Sequence, residues 1–544
     1  MRSTAIVTLA VGFLINIPAL TAQVRQSSVD QIFAAYNKAG SPGCALGVIQ
    51  DGNFIYRRGY GEASLELGVP LSPESVFYMG SVSKQFTAAS VVLLSERGLL
   101  SLDDDVRKYI PELPDYGHTI TLREMLHHTS GLRDFLTLTD ISGRHYSDIH
   151  SEAETLNLIE RQKGLNNIPG DEYIYSNTNY FLLGEVVKRV SKQSLAEFAA
   201  ENIFQPLGMT HTRFYDDRTV VVPGRVAAYA PGNSGNFLVD WSTSYDAVGA
   251  GGLMSSVNDL LLWDRNFYNN KLGKGPLIQE METRGVLNDG RKISYALGLE
   301  MGTYRGLPTV EHDGALFGYR TVILRFPEQR FTVLTLCNLS SANTSGLAHQ
   351  VADVYLANDL EPQPNASQTS NAPDYPDPGR FAGRYLDTHK QILASFTAAD
   401  GDLIYGDTKL RRVGLNQFRD AGAGTITFDD SHGGMKATIE TDNGTAFTGS
   451  RIEEPRLSAD ALAEFAGEYE SEELAATYNL SIDNGTLTLR CNWNPPLKLT
   501  PVARDEFDSG AYGILVFHRD ADRRISGLSV FTLNARNVVF KRIN

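Results

Sequence analysis

A run of apolar residues between positions 86 and 94 is the feature that most constrains the fold of this chain. It comprises Phe86, Ala88, Ala89, Val91, Val92, Leu93 and Leu94. A helix that is this apolar must be buried inside a large domain. Ser81 and Lys84 open the helix and, three residues apart, share one face of it. The sequence therefore predicts a hydroxyl and an ammonium group side by side at the N-terminus of a buried helix.

This pair of side chains has the components of a nucleophilic site. A serine hydroxyl is a poor nucleophile unless a base or a cationic setting activates it. The N-terminus of a helix adds partial positive charge where an oxyanion would develop. The alternative is structural, with Ser81 capping the helix and Lys84 at the surface. The four-residue pattern alone does not separate the two interpretations.

A second candidate segment contains Tyr175 and Asn177, after the turn formed by Pro169 and Gly170. A phenol acts as a general base only if nearby cations lower its pKa, and Lys84 is the obvious cation. The amide of Asn177 is suited to holding a substrate carbonyl. The same three-residue pattern occurs at positions 268–270, where it is typical of a helix end.

The third candidate segment is His312, Asp313 and Gly314, followed by Ala315, between strand-like runs. A strand beside the nucleophile can supply a second backbone N–H for an oxyanion. Gly314 would let a substrate backbone approach closely, and His312 could hydrogen-bond the Tyr175 oxygen. A similar pattern at positions 432–434 and a plain turn histidine are the alternatives.

Composition excludes several function classes. The 544 residues carry a formal net charge of −15 without a long basic run, which argues against a nucleic-acid partner. No metal-ligand cluster stands out, so neither a metal nor another cofactor is expected; His127 and His128 would point about 100° apart on a helix. The three cysteines permit at most one disulfide. Their strand-like surroundings favour three buried thiols, at Cys44, Cys337 and Cys491.

The first 22 residues are typical of an export signal. Arg2 precedes an apolar stretch, and small residues lead to a plausible cleavage point before Gln23. A membrane anchor is the alternative, but Asn16 and Pro18 interrupt a stretch that is already short for about 20 spanning residues. We expect a secreted or periplasmic protein with no membrane segment after signal removal.

The rest of the chain divides into three predicted domains. Residues 23–358 form the first domain, in which strand-like runs from its first and last parts would share one antiparallel sheet, with helices on its faces and a helical insert between them. Residues 359–378 are rich in proline and polar residues, as in a linker. The segments 379–455 and 456–544 form a degenerate repeat, in which Phe-Ala-Gly-x-Tyr occurs twice. Short alternating strands in both copies predict two small antiparallel β-barrels or sandwiches.

Taken in order, the motifs resemble one known family. Ser81-x-x-Lys84, Tyr175-x-Asn177 and His312-x-Gly314 follow the order and intervals of the class C β-lactamase-like, penicillin-recognising serine hydrolases. Further similar segments lie at 122–132, 206–209 and 249–253. The resemblance covers residues 29–356 and implies a helical domain beside an antiparallel sheet flanked by helices. The fold class expected is α+β, with a β-lactamase/transpeptidase-like domain followed by two small antiparallel β-barrels.

The resemblance also implies roles for the candidate residues. Ser81 would be the acylated nucleophile, and Lys84 and Tyr175 would share the role of base, without a choice between them. The backbone N–H groups of Ser81 and Ala315 would form the oxyanion hole. Most β-lactamases of this kind have lysine where this chain has His312, whereas the histidine form is seen in D-aminopeptidases and several esterases.

The duplicated tail is similar to the D-aminopeptidase architecture, in which a loop of the last barrel reaches the active site. The candidate loops here are 504–506 and 508–510, whose acidic side chains would bind a substrate ammonium group. We expect a hydrolase of small amides, peptides or esters, with a small-molecule or peptide substrate and an oligomeric state that the sequence leaves open. The alternatives are a penicillin-binding D-Ala-D-Ala carboxypeptidase or β-lactamase, and a non-catalytic binding or sensor protein.

Overall fold

A computed structural model describes residues 17–145, 148, 150–240, 247–362, 377–420, 424–431, 433–492 and 494–543. Most of the predicted signal peptide and of the predicted linker lies outside these residues. The α-helices in the described part are Ile17–Ile32, Ser83–Glu96, Leu122–Leu126, Phe135–Ile141, Glu152–Glu160, Asn177–Ser191, Leu195–Ala199, Gln205–Leu207, Val257–Asn269, Leu277–Met281, Thr344–Tyr355 and Ala459–Ala463. Among these helices, none has the length and apolar character that crossing a membrane requires.

The first domain is built on one antiparallel sheet that joins the two ends of the domain. Its six strands lie in the order Glu300–Tyr304, Leu307–Leu316, Tyr319–Phe326, Phe331–Cys337, Cys44–Gln50 and Asn53–Tyr60. Strands from the first and from the last part of this domain therefore meet in one sheet, as the sequence predicts. Helices Thr344–Tyr355 and Val257–Asn269 pack against it.

Adjacent strands of this sheet bring two cysteines together. Cys44 lies directly opposite Cys337 in the antiparallel register, and the two form a disulfide. The prediction of three buried thiols was wrong for this pair, because the strand pairing joins positions 293 apart in the sequence. Cys491 is a buried free thiol.

The helical part of the first domain surrounds the apolar helix Ser83–Glu96. The side chains from Ser83 to Leu94 are all buried, including the charged side chain of Lys84. The helix packs most closely against Asn177–Ser191. The short strand Phe77–Tyr78, which precedes the helix in the chain, belongs to a small sheet with the strands Leu253–Ser255 and Arg213–Phe214. Short strand pairs lie at Glu62–Ser64 with Val69–Pro70, and at Tyr229–Pro231 with Phe237–Val239.

Two nearly closed antiparallel barrels of nine strands follow, which confirms the expected α+β fold with a barrel tail. The strand order in the first barrel is Thr408–Lys409, Asp402–Tyr405, Ile392–Ala399, Gly383–Asp387, Gly444–Ile452, Lys436–Thr441, Gly424–Asp429, Gln417–Asp420 and Arg411–Arg412. The strand order in the second is Leu497–Lys498, Thr486–Cys491, Ala476–Asp483, Gly467–Ser471, Val538–Arg542, Ile525–Phe531, Ile514–Arg519, Glu506–Asp508 and Thr500–Ala503.

Candidate active site

Ser81 lies in a tight turn between a short strand and the buried helix. Residues Gly80–Val82 form one 3-10 turn, and the α-helix itself begins at Ser83. Gly80 has φ +53°, and a Cβ on it would lie 2.6 Å from the backbone nitrogen of Ala315. Glycine is required there because the strand Leu307–Leu316 packs directly against the turn. The turn therefore brings Ser81 to the edge of the main sheet.

Lys84 and Tyr175 both contact the hydroxyl of Ser81. The Ser81 Oγ lies 3.0 Å from the Lys84 Nζ and 2.9 Å from the Tyr175 hydroxyl. Tyr175 comes from the segment before helix Asn177–Ser191, more than ninety residues further along the chain. The structure thus brings the predicted amine, Lys84, and the predicted phenol, Tyr175, together at the predicted nucleophile, Ser81.

The amino group of Lys84 has two further partners. It donates to the Asn177 Oδ1 at 2.9 Å and to the Ala250 carbonyl at 2.8 Å. Burial lowers the pKa of Lys84 from its ordinary 10.5 to about 7, although the carboxylates of Asp134 and Asp313 act in the opposite direction. A substantial neutral fraction therefore exists near pH 7.

The contacts of Lys84 fit a neutral amine. A neutral amine has two hydrogens and one lone pair, and the oxygens of Asn177 and Ala250 can only accept. When both hydrogens are donated to these oxygens, the lone pair remains for the hydroxyl of Ser81. The Ser81 hydroxyl can then donate to Lys84 while its oxygen accepts from Tyr175.

Tyr175 is a protonated phenol in this site. Burial raises its pKa well above 10, and the contact with Ser81 only partly offsets that effect. The expected lowering of the pKa of Tyr175 by Lys84 is not seen, because burial of the phenol dominates and Lys84 is only partly protonated near pH 7. Of the two candidate bases, the geometry and the pKa values favour Lys84.

His312 lies beside this group but contacts a different tyrosine from the one expected. Its Nδ1 donates to the Asp313 carbonyl at 2.7 Å, so its Nε2 is free to accept, and the Tyr295 hydroxyl lies 2.9 Å from that nitrogen. The predicted hydrogen bond to Tyr175 is replaced because the Tyr295 ring contacts both His312 and Tyr175. Burial lowers the pKa of His312 to about 4, so the imidazole is neutral near pH 7.

Asn177 is held in one orientation by a residue that sequence reasoning missed. The Asn177 Nδ2 donates to the Asp134 Oδ1 at 3.0 Å, which turns the amide oxygen towards Lys84. One amide hydrogen is thus bonded to Asp134 rather than held ready for a substrate carbonyl. Asp134 lies two residues after the segment 122–132 and caps the N-terminus of helix Phe135–Ile141, so a capping signal was visible in the sequence, but its contact with Asn177 was not.

His128 is a second residue that the sequence did not single out for this site. It is fully buried, and its Nδ1 accepts from the Ser176 backbone N–H at 3.1 Å. Its ring packs 4.2 Å from the ring of Tyr175 and 4.7 Å from that of Tyr295, measured between centroids. His128 therefore fixes both the backbone and the ring of the segment that carries Tyr175.

Gly314 and Ala315 lie where the strand meets the serine turn. A Cβ on Gly314 would lie 2.1 Å from the Met79 carbonyl oxygen, so the glycine admits the turn itself rather than a substrate backbone. This differs from the expectation for Gly314. Ala315 lines a narrow cleft together with Ser81 and Asn177. The walls of this cleft are otherwise mainly apolar, with Tyr78, Phe135, Leu136 and Leu316 among them.

One face of the sheet edge beside the serine carries three carboxyl groups. Glu311 and Asp313 alternate with His312 and so share a face with Ala315, while Glu300 lies directly opposite Glu311 on the next strand. None of these carboxyl groups has a hydrogen-bond or ion-pair partner among the described residues. Partial desolvation by the surrounding protein and the charge of Asp313 raise the pKa of Glu300, which is exposed at the surface, and that of the half-buried Glu311 to about 7.

A larger cavity of about 380 Å³ lies on the other side of Tyr175, and all three domains line it. Glu172 and Glu300 come from the first domain, Lys390 and Asn443 from the first barrel, and Arg536 from the second. The tail loops that border the candidate site are thus 441–446 and 533–536. The predicted loops lie elsewhere, because Asp505 pairs with Arg519 and Asp508 pairs with Arg384 of the first barrel.

The alternative motifs do not join the site. Tyr268 and Asn269 end helix Val257–Asn269, where the Tyr268 ring lies against Arg325 and Arg330, and Asn270 terminates the helix in the left-handed conformation. His432 lies outside the described residues. Among the described residues, no group of three or more His, Cys, Asp or Glu side chains is arranged to hold a metal ion.

The sequence of this chain is similar to those of known proteins over most of its length. The family model described as beta-lactamase matches residues 29–357. A D-aminopeptidase of Gluconobacter oxydans (strain 621H) is 28% identical over 451 residues, which are 80% of this chain and 80% of that protein. A D-aminopeptidase of Brucella anthropi is 26% identical over 529 residues, covering 92% of this chain and 95% of that protein.

Solved structures share the fold. The octameric penicillin-binding protein homologue from Pyrococcus abyssi superposes with a TM-score of 0.56 at 22% identity, over 87% of this chain and 98% of that chain. The D-amino acid amidase from Ochrobactrum anthropi SV3 superposes with a TM-score of 0.52 at 19% identity, over 62% of this chain and 99% of that chain.

Proposed function

The chain belongs to the beta-lactamase family, and from that premise we propose that it is a serine hydrolase that cleaves small amides and peptides through an acyl-Ser81 intermediate. The observation that carries the proposal is the convergence of Lys84 and Tyr175 on the Ser81 hydroxyl, at 3.0 and 2.9 Å. The family, and the two D-aminopeptidase relatives that span four-fifths or more of the chain, support it.

Acylation begins with the neutral form of Lys84. The lone pair of its Nζ takes the hydroxyl proton of Ser81 as the Oγ forms a bond to the substrate carbonyl carbon. The carbonyl oxygen becomes an oxyanion, which the backbone N–H groups of Ser81 and Ala315 are proposed to stabilise. The protonated Lys84 keeps its bonds to Asn177 and Ala250 throughout.

Collapse of this intermediate breaks the bond to the leaving nitrogen. The Tyr175 hydroxyl donates its proton to that nitrogen, and Lys84 returns its own proton to the phenolate, which restores both groups. Since both groups contact Ser81 Oγ, the proton moves over a short distance. A water molecule then attacks the ester carbonyl while Lys84 takes one of its protons. The bond from the acyl carbon to Ser81 Oγ breaks, and Lys84 gives that proton to the Oγ, so that a carboxylic acid and free Ser81 result.

The carboxyl groups beside the serine support a substrate with a free amino group. Glu300, Glu311 and Asp313 form an acidic face without an ion-pair partner among the described residues; Ala315, on the same face, lines the cleft at Ser81, and Glu300 lines the larger cavity. The carboxylate of Asp313 and the ionised fractions of Glu300 and Glu311 would attract a substrate ammonium group and repel the carboxylate of a β-lactam. With the D-aminopeptidase relatives, this favours D-aminoacyl amides and short peptides with a D-residue at the N-terminus.

A substrate panel tests the proposal. D- and L-alanine p-nitroanilides, an N-acetylated D-alanine p-nitroanilide, a nitrophenyl ester and a cephalosporin are each given to the wild type, to Ser81→Ala and to Ser95→Ala, a control on the same helix. We expect the wild type to turn over the D-alanine anilide whose amino group is free. The rate should fall about 10⁴-fold or more in Ser81→Ala and should not fall in Ser95→Ala. Undiminished turnover in Ser81→Ala refutes the nucleophile. Preference for the acetylated substrate or the cephalosporin refutes the proposed substrate class.

We also propose that the protein is exported. The apolar N-terminal segment supports this, and so does the disulfide between Cys44 and Cys337, since disulfides persist mainly in oxidising compartments. Fractionation of producing cells, with the mass of the mature chain, tests it. A mature chain that begins near Gln23 in the periplasm or medium is expected, whereas an uncut chain in the cytoplasm contradicts export.

A further inference from the structure

Asp134 is a buried carboxylate one side chain removed from the proposed base. It is 2% exposed, and four hydrogen bonds converge on its two oxygens. The backbone N–H and the Nδ2 of Asn177 donate to Oδ1 at 2.6 and 3.0 Å, and the N–H and Oγ1 of Thr137 donate to Oδ2 at 2.9 and 3.1 Å. All four donors are neutral.

This arrangement is more than a helix cap requires. The Thr137 contacts alone satisfy the N-terminus of helix Phe135–Ile141. A buried charge is costly unless a cation compensates it, yet no cation contacts this carboxylate among the described residues. The positive charge that the structure offers instead is that of protonated Lys84, which lies beyond the Asn177 side chain.

We propose that Asp134 is a positioning residue for the reaction, which holds the Asn177 amide so that its oxygen receives one hydrogen of Lys84 and the lysine lone pair faces Ser81. The proposal rests on the acyl-Ser81 function. If the side-chain amide of Asn177 were rotated by about 180°, its NH2 group would face the amino group of Lys84. Two donors would then oppose each other, and the lysine would lose one of the two acceptors that orient it.

The second barrel holds Asp134 in place from the other side. The Asp134 backbone N–H donates to the Asn534 carbonyl at 2.9 Å. The preceding residue, Arg133, forms an ion pair of 2.6 Å with Glu473, and both side chains are 3% exposed. The position of the carboxylate is therefore fixed by its own helix and by the tail.

The negative charge of Asp134 also acts on the titration of Lys84. Asp134 and Asp313 both favour the protonated lysine, against the larger effect of burial. Loss of the Asp134 charge should therefore lower the pKa of Lys84 further and extend its neutral form to lower pH. The other titratable groups that face Lys84 are the neutral imidazoles of His128 and His312 and the phenols of Tyr175 and Tyr180.

Two substitutions separate a positioning role from a purely structural one. Asp134→Asn keeps the shape, and Asp134→Ser keeps a helix cap; both remove the charge. Asp259→Asn is the control, because Asp259 is 4% exposed and also accepts bonds from a backbone N–H and a hydroxyl, but in a different part of the domain. The measurement is the rate at which a neutral alkylphosphonate labels the full chain, followed by intact mass between pH 5 and 9.

For the wild type we expect labelling that rises with pH and levels off above about 7. In both Asp134 variants the plateau rate should fall about ten- to a hundredfold, less than the loss of the general base itself would cause, which is about 10²–10⁴-fold. The rise of the labelling rate should move to lower pH. Asp259→Asn should lower thermal stability without moving the rise. If both folded Asp134 variants keep the wild-type pH profile and rate, the proposal is overturned. Labelling that survives in Ser81→Ala refutes the acyl-serine function instead, and the two failures are therefore distinguishable.

Discussion

The two tail barrels have the same architecture but join the hydrolase domain in different ways. Their nine strands follow the same order, and each contains the same internal bond: the Tyr385 hydroxyl donates to the Phe381 carbonyl at 2.9 Å, and that of Tyr469 to the Phe465 carbonyl at 2.8 Å. The Phe-Ala-Gly-x-Tyr repeat thus specifies the barrel. It does not specify how the barrel docks.

The second barrel shares its core with the first domain. Leu138, Ile141 and Leu158 of the hydrolase domain belong to the same buried apolar cluster as its interior residues. The main cluster of the first barrel contains only its own residues. Positions 381 and 465 are 84 apart, and the same offset relates His389 and Lys390 of the first barrel to Glu473 and Leu474 of the second. In the first barrel these positions hold an exposed histidine and a half-buried lysine, whereas in the second they hold a buried ion-pair carboxylate and a core leucine.

This difference shows that a few residues in one turn between two strands can change how a duplicated barrel binds the neighbouring domain. The first barrel reaches the active domain through polar contacts, such as Asn443 to Ser294 and Lys390 to Glu172. The second is part of the domain that holds Asp134. Substitutions in the second barrel should therefore affect stability and catalysis together, whereas those in the first should have small effects.

The largest effect is expected for Glu473→Gln. It leaves the charge of Arg133 buried without its partner, which costs about 3–5 kcal/mol of unfolding free energy. Activity should fall as well, because Arg133 adjoins Asp134. Urea denaturation and turnover of the D-aminoacyl anilide measure the two effects.

The neighbouring residue supplies the control for this substitution. Glu472 pairs with Lys163 and Lys541 at the surface, so Glu472→Gln should cost less than about 1 kcal/mol. Equal losses in the two variants would mean that the buried ion pair does not anchor the second barrel.

An intermediate effect is expected at Glu172, the carboxylate that both barrels contact. Arg536 of the second barrel donates to both of its oxygens, and Lys390 of the first lies 2.9 Å from one of them. Arg536→Met should cost about 1.5–3 kcal/mol, as for hydrogen bonds to a charged group, and Lys390→Met less, because Lys390 makes one contact to Glu172 where Arg536 makes two. Thermal unfolding of both single variants and the double variant measures the costs. A larger loss from Lys390→Met would reverse the proposed roles of the barrels.

The smallest effect is a pH dependence at the same residue. Burial raises the pKa of Glu172, but the bonds from Arg536 and Lys390 outweigh it, so the pKa is lowered overall. A carboxyl group with a lowered folded-state pKa stabilises the fold above its unfolded pKa, and this stability is lost as the pH falls through the folded value. The unfolding temperature of the wild type should therefore drop more steeply below about pH 4.3 than that of Glu172→Gln. Parallel curves would show that Glu172 contributes no such stability.

Sequence reasoning succeeded where the chemistry followed from local spacing or from a known order of motifs. The three-residue interval between Ser81 and Lys84 is enough to place both on one side of a helix start, and the apolar run behind them requires burial. The fold class followed from the family resemblance and from the Phe-Ala-Gly-x-Tyr repeat. These features depend on short stretches of chain.

The remaining contacts depend on pairings between distant segments. The disulfide requires the register that sets Cys44 opposite Cys337. The partner of His312 is Tyr295, which belongs to no recognised motif. The role of Asp134 depends on a fold that brings it to Asn177, although a capping position was visible. The loops that border the cavity depend on how the barrels dock, which the repeat does not encode.

The most direct measurement of the central claim is the site of acylation. The wild type is mixed with a D-aminoacyl ester, quenched in acid within milliseconds to seconds, digested and mapped by mass spectrometry. We expect an aminoacyl group on the peptide that contains Ser81, and no such group in Ser81→Ala. An adduct on another residue, or substrate turnover with an unlabelled Ser81 peptide at every time point, would contradict it.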